Sequence, residues 1–265
     1  MVSAAKMRRA QQNVQASRPY SERIRLMIAG LSGLTEGIEA GRFPLLEQRP
    51  VQRIGVVILT PDKGLAGALN SNIIRHGVVF VREHDVPVDM VTVGRKGRDF
   101  FTRYGQNVSA EFTNLGDWPS IEDLRPIVDV SIGEFVAGRV DAVYLIYSQF
   151  VNTLNQRPIA LQILPITPPE DVAAEELVRD YIFEPGRDEV LEALLPRYIE
   201  VQLYQAMLES IASEHSARMV AMRNATENAK DLMSELSLTY NKARQAQITR
   251  EVSEIAAGAV AGAGR

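Results

Sequence analysis

The sequence predicts an α/β domain inserted between two helical ends that pair as a long antiparallel two-helix coiled coil. Three observations carry this expectation. From Arg187 to Ala257 there is no glycine and a single proline, Pro196. Apolar residues at both ends of the chain recur alternately three and four apart. Between the ends the pattern changes to short, β-branched apolar runs. The implied divisions are an N-terminal coiled-coil helix over 1–48, an inserted α/β domain over 49–186 and a long C-terminal helix over 187–265.

In the first helix the seam runs through Met7, Ala10, Val14, Ser17, Ser21, Ile24, Ile28, Leu31, Thr35 and Ile38. Pro19 is expected to bend or locally break this helix, because proline removes a backbone donor and crowds the preceding turn. The C-terminal seam runs through Val201, Tyr204, Leu208, Ile211, His215, Arg218, Met222, Ala225, Ala229, Leu232, Leu236, Thr239, Ala243, Ala246 and Arg250. From Arg197 to Ala257, at 1.5 Å per residue, a helix would extend about 90 Å, more than a compact domain of this size needs. Small residues (Ala225, Ala229, Ala243, Ala246) and polar ones (Ser17, Ser21, Thr239) fill many seam positions. Such a seam buries little area, so a surrounding partner is expected to complete its burial.

The middle reads as a Rossmann-like alternation. Apolar runs at 54–60, 88–94, 140–150 and 158–166 predict buried strands, separated by helices near 68–84, 95–104 and 120–138. Ser120 with Asp123 three residues on is a plausible helix cap. Alternating strand and helix implies a largely parallel sheet with right-handed crossovers.

Composition narrows the function classes. A hydrophobic content of 46% with 23% charged residues describes a chain able to build a core. A net charge of −4 argues against a nucleic-acid binder. Charge is unevenly spread: residues 1–25 carry Lys6, Arg8, Arg9, Arg18, Arg23 and Arg25 against Glu22, whereas 170–192 carry nine acids against Arg179 and Arg187. With no cysteine, disulfides and thiolate chemistry are excluded. No apolar run approaches the roughly 20 residues of a membrane span, and the first residues lack the apolar core of a secretion signal. A cytoplasmic protein, or one peripheral to a membrane's cytoplasmic face, is expected.

The loop TPDKGLAGALN (60–70) follows a strand and opens a helix, where α/β folds often hold phosphate. It lacks the order of a phosphate-binding motif, since Lys63 precedes the turn. Gly64 and Gly67 are instead expected to permit a tight turn and close helix–sheet packing. His76, His84 and His215 are not at metal-ligand spacing and read as structural. No pair of carboxylates is brought into a defined pocket, so no catalytic site, cofactor or metal is expected.

The stretch 213–259 carries RMVAM (218–222), NAT (224–226), YNKARQA (240–246), ITRE from 248 and SEI (253–255). It closely resembles the terminal helix of F-type ATP synthase gamma subunits. Supporting likenesses are AAKMRRAQ (4–11), RPY (18–20), LTPDKGLAGALN (59–70) and DYIFEP (180–185), which together touch every region of the chain. The resemblance implies a non-catalytic rotor that turns within the alternating alpha–beta hexamer, contacts the epsilon subunit and rests on the membrane c-ring. Such a rotor couples transmembrane proton flow to ATP synthesis or hydrolysis on the beta subunits. It implies that Arg244 and Gln245, with Thr249 and Glu251 nearby, meet an acidic catch loop of a beta subunit. It also implies that Tyr181, Phe183 and Glu184 touch the polar loops of the membrane ring, Phe183 standing where relatives often have tyrosine. Ala66 stands where many relatives have cysteine. Relatives carry further helix before the position of Met1, so the first helix is expected to be shortened, by a late start assignment or an incomplete chain. Two other readings compete: a nucleotide-binding α/β protein with helical arms, which would call for a phosphate loop, and a free-standing coiled-coil scaffold, which would call for a stronger Leu/Ile seam.

Overall fold

The protein is seen in a computed structural model that describes residues 2–33, 42–167 and 183–263. Two compact units divide the chain, Met1–Val220 and Ala221–Arg265. The first contains a five-stranded sheet; the second is the continuation of one helix. Helix α1 (Val2–Gly33) leads to a short 3-10 turn at Pro44–Leu46 and then to β1 (Ile54–Leu59), α2 (Leu69–Glu83), β2 (Val88–Val93) and α3 (Arg95–Arg103). There follow β3 (Asn107–Phe112), α4 (Ile121–Val136), β4 (Ala142–Phe150), β5 (Gln156–Leu164) and the 77-residue α5 (Arg187–Ala263).

The sheet order is β3-β2-β1-β4-β5. All pairings are parallel except β4 with β5, which runs antiparallel from Val143 opposite Leu164 to Phe150 opposite Gln156. Central β1 is buried throughout. Its alternate residues feed two cores: Ile54, Val56 and Ile58 pack with α2 and α3, while Val57 and Leu59 pack with α1, α4 and α5. A strand covered on both faces has no polar position to offer, which is why it reads as an unbroken apolar run.

The expected strands at 54–60, 88–94, 140–150 and 158–166 correspond to β1, β2, β4 and β5. Two corrections apply. β3 was absent from the expectation: its sequence NVSAEF alternates polar and apolar residues, as an edge strand's does, with no continuous apolar run. β5 is not a buried strand, for it lies at the other edge and only Ile163 and Leu164 at its end are buried.

The Ser120 cap forms as expected. Ser120 Oγ accepts from the Asp123 amide at 3.3 Å, and Asp123 Oδ2 accepts from the Ser120 amide at 2.8 Å. The turn before α2 is more subtle. Gly67 takes φ +57°, a left-handed value that glycine adopts without strain. Close helix–sheet packing falls elsewhere: a Cβ on Gly64 would meet nothing within 4 Å, whereas one on Gly77 would lie 2.9 Å from Ile58 and 3.1 Å from Phe101.

Two helical expectations are revised. α1 runs through Pro19 without a break. Buried side chains on either side, Val14 before and Ile24 and Ile28 after, hold the helix against the core despite the missing donor. α5, by contrast, runs from Arg187 through Pro196 to Ala263, within the bounds expected of the long C-terminal helix. Its burial is also broader than a seam. Between Ile199 and Ser216 buried residues occur at consecutive positions, such as Ala206 to Glu209 and Ile211 to Ser213. The reason is that this part of α5 lies against α1 and the sheet together. Ser213 Oγ donates to the Ser148 carbonyl on β4 (3.0 Å), and Ser17 Oγ of α1 donates to Gln205 Oε1 (2.5 Å).

On α1 the seam positions are the inward ones: Ala10, Val14, Ile24, Ile28 and Leu31 are buried, and Met7, Ser17 and Ser21 half-buried. Thr35 and Ile38 lie outside the described residues, as does most of the acidic stretch within 170–192. Contacts between α1 and α5 run in opposite senses, Tyr20 with Arg197 and Ser17 with Gln205.

Phe135 closes the core beneath α4. Its ring is fully buried, the Arg49 guanidinium stacks 4.8 Å from it, and Arg49 Nη1 also donates to its carbonyl. Phe135→Ala is expected to destabilise the first unit by about 3–5 kcal/mol through lost burial and a residual cavity. A urea titration of the purified chain should register this as a lower midpoint at unchanged slope.

Candidate partner interface

In the second unit every side chain from Met222 to Ile255 is exposed. Many are large and apolar: Leu232, Met233, Leu236, Leu238, Tyr240, Ile248, Val252 and Ile255 are each about half exposed or more. At 100° per residue, Ala229, Leu232, Met233, Leu236 and Tyr240 fall on one stripe of the helix about 100° wide. A contiguous apolar stripe in water marks a surface that another element covers. The seam expectation included Ala229, Leu232 and Leu236 in this stripe. It missed Met233 and Tyr240, whose i+4 and i+11 spacing from Ala229 carried the signal.

The helix is held here by its own side chains. Arg223 Nε donates to Glu227 Oε1 at 3.1 Å and Thr226 Oγ1 to the Met222 carbonyl at 2.8 Å. Further along, Gln247 Nε2 donates to Glu251 Oε1 at 3.1 Å. Of the residues expected to meet a beta subunit, Arg244 and Glu251 share one stripe, seven residues apart, and Gln245 and Thr249 lie on the adjoining one, four apart. All four are exposed, and among the described residues Arg244 has no carboxylate within ion-pair distance. The planar, permanently charged guanidinium is thus available to an external carboxylate.

Of the residues expected at the membrane ring, Tyr181 lies outside the described residues. Phe183 is half-buried against the first unit's core, with the Arg187 guanidinium 5.8 Å from its ring, and Glu184 is exposed.

The histidines take structural places. His84 Nδ1 lies 2.8 Å from the Phe80 carbonyl, and its ring packs on Phe80 and Tyr144. His215 is 2% exposed, and neither ring nitrogen finds a hydrogen-bond partner among the described residues; its Nε2 lies 3.6 Å from Asp117 Oδ1. Among the described residues no group of three His, Asp or Glu could hold a metal ion, and no helix is long and apolar enough to cross a membrane. In the 60–70 loop, the Gly64 carbonyl accepts from Arg218 at 3.2 Å, and Asp62 accepts the amides of Arg95 and Asn114 at 3.0 Å each. This acidic residue is spent on bracing the ends of the strands.

Residues 1–261 match the family described as ATP synthase. The chain is 54% identical to the ATP synthase gamma chain of Roseiflexus castenholzii and 53% identical to that of Chloroflexus aurantiacus, in each case over 98% of this chain and 90% of the relative. Among solved structures, a chain of the Euglena gracilis mitochondrial ATP synthase (OSCP/F1/c-ring) superposes with a TM-score of 0.62 at 18% identity, covering 97% of this chain and 95% of that one. A chain of the Tetrahymena thermophila mitochondrial ATP synthase central stalk and c-ring gives 0.59 at 22% identity, covering 85% and 100%. The chain belongs to the ATP synthase gamma-chain family.

Burial pushes the His215 imidazole below its ordinary value; Asp117 opposes this, while Arg218, Lys6 and Lys63 reinforce it. An unfolded chain takes up a proton at this position as pH falls through about 6.5, and the folded one resists. Stability is therefore lost as pH drops below that value. Melting temperatures of the purified chain should fall between pH 7.5 and 5.5, and His215→Leu should shrink that fall.

Proposed function

We propose that this gamma chain is the non-catalytic rotating shaft of an F-type ATP synthase. In this reading the helical ends, 1–48 and 187–265, make the shaft, α1 pairing antiparallel with the first part of α5 as in the Tyr20–Arg197 and Ser17–Gln205 contacts, and the Rossmann-like α/β insertion over 49–186 is its foot. The shaft turns inside the alpha–beta hexamer and couples proton flow to ATP synthesis or hydrolysis on the beta subunits. The observation that carries the proposal is the wholly exposed helix from Met222 to Ile255, with its apolar stripe and with Arg244 facing no carboxylate among the described residues. Exposed apolar area of this kind is stable only when a surrounding collar removes it from water. Scattered small and polar residues along the same helix suit a surface that must release one docked position for the next.

Arg244, Gln245, Thr249 and Glu251 meet the acidic catch loop of a beta subunit, the guanidinium donating to its carboxylates. Tyr181, Phe183 and Glu184 meet the polar loops of the c-ring, and the epsilon subunit completes the foot. This puts the chain at the cytoplasmic face of the cell membrane, held there through the complex. An asymmetric shaft in a pseudo-threefold collar makes three catalytic sites unequal, and a third of a turn exchanges their states. The shaft thereby carries free energy as a bias between conformations.

Complexes reconstituted with alpha and beta subunits test this. Arg244→Ala/Gln245→Ala is expected to assemble at one copy per hexamer and to lower steady-state ATPase by about ten- to hundredfold, the loss of one charge-assisted contact at about 1.5–3 kcal/mol. Failure of the unaltered chain to enter the hexamer overturns the proposal.

A further inference from the structure

The two halves of α1 are held differently. From Ile24 to Leu31 it is anchored by Ile24, Ile28, Ala29 and Leu31, all buried. Toward the N-terminus, between Ala5 and Asn13, only Ala10 is buried, and one methyl group anchors little. Two polar contacts make up the deficit there, and both come from one short segment between β3 and α4. The Lys6 ammonium bonds the Asp117 carboxylate, and the Arg9 guanidinium stacks 4.6 Å from the Trp118 ring.

That segment, Thr113–Ser120, is tied down at both ends. At its start the Asn114 amide donates to Asp62 Oδ2 (3.0 Å) and its side-chain oxygen accepts from Arg95 Nη2 (2.8 Å), which fixes it to the ends of β1 and β2. At its finish Ser120 caps α4. Asn114 and Gly116 both take positive φ, 62° and 80°, so the segment doubles back sharply between these anchors. Leu115 packs into the core, and with α5 residues Met207, Ile211 and Glu214 it lines a cleft of about 50 Å³. Asp117 faces α1 and α5 at once, bonded to Lys6 and 3.6 Å from the buried His215. The carboxyl is held below its usual range: burial alone would raise it, but the Lys6 bond, His215 and Lys63 outweigh burial.

We propose that Thr113–Ser120 is a strap that locks the N-terminal turns of α1 to the sheet and to α5, with Asp117 and Trp118 as positioning residues for torque transfer. This rests on the rotor reading and deepens it. Through the strap, displacement of the sheet is passed to α1 and α5 together. Without it, α5 remains attached through Ser213 and Ser216, whose hydroxyls donate to the Ser148 and Thr153 carbonyls, while the start of α1 is released.

The complete ATP synthase carrying Asp117→Ala/Trp118→Ala, in inverted membrane vesicles, provides the test. Hydrogen exchange of the amides from Lys6 to Val14 is expected to quicken by at least about tenfold, with those from Ser213 to Ser216 unchanged. ATP-driven proton uptake per ATP hydrolysed is expected to fall. Lys6→Gln/Arg9→Gln removes the same contacts from the α1 side without touching the strap, and should reproduce both effects if the first variant folds poorly. Unchanged exchange overturns the strap, and quicker exchange at an unchanged uptake ratio overturns its role in coupling. Failure of the rotor reading would look different: the unaltered chain would be missing from the assembled enzyme.

Discussion

One helix must satisfy two opposite environments, and the rest of the structure follows from that constraint. Between Ile199 and Ser216, α5 is surrounded by α1 on one side and the sheet on another, and serine and histidine are buried along with its apolar residues. From Met222 to Ile255 the same helix is exposed on every side. A helix buried on several sides needs hydrogen-bond partners for the polar residues it takes inside. Ser213 and Ser216 find theirs in the carbonyls of Ser148 and Thr153. Further on, no such partners occur among the described residues. The helix there is supported by neighbouring turns alone, as in the Arg223–Glu227 and Gln247–Glu251 pairs. Such pairs are each worth only about 0.2–0.5 kcal/mol.

The first unit is arranged to grip that helix. β1 and β4 supply a central platform apolar on both faces, α2 and α3 cover one face, and α1, α4 and α5 share the other. Connecting segments add polar attachments: Gly64 to Arg218, Thr153 to Ser216 and Asp117 toward His215. These contacts come from three different loops and converge on α5 between Ser213 and Arg218, the last turns before the second unit. In the proposed rotor, a twist carried by the sheet would enter the helix over this short stretch.

Much of this was legible in the sequence where one physical signal dominated. β1, β2 and β4 are buried and β-branched, so their runs stood out within a residue or two of their observed bounds. The glycine-free stretch announced α5. β3 was hidden because an edge strand with three apolar residues carries too little signal, and Pro19 does not break α1 because tertiary burial on both sides outweighs one missing backbone bond. The seam on α5 was read as narrow because periodicity along a helix cannot reveal that a sheet lies against its other side. The candidate interface divides similarly. Leu232 and Leu236 could be found by spacing, whereas Arg244 and Gln245 drew notice only through resemblance. The strap was invisible because Lys6 and Asp117 are 111 residues apart, and nothing local marks either as the other's partner.

The central claim is that the exposed stripe of α5 is buried by a collar of alpha and beta subunits. The chain has no cysteine, so Leu236→Cys introduces a unique thiol in the middle of that stripe. Its reaction rate with a maleimide, measured in the free chain and after assembly with alpha and beta subunits, tests the claim directly. The account predicts rapid labelling of the free chain and protection of at least about tenfold in the complex. Equal rates in the two states would contradict it.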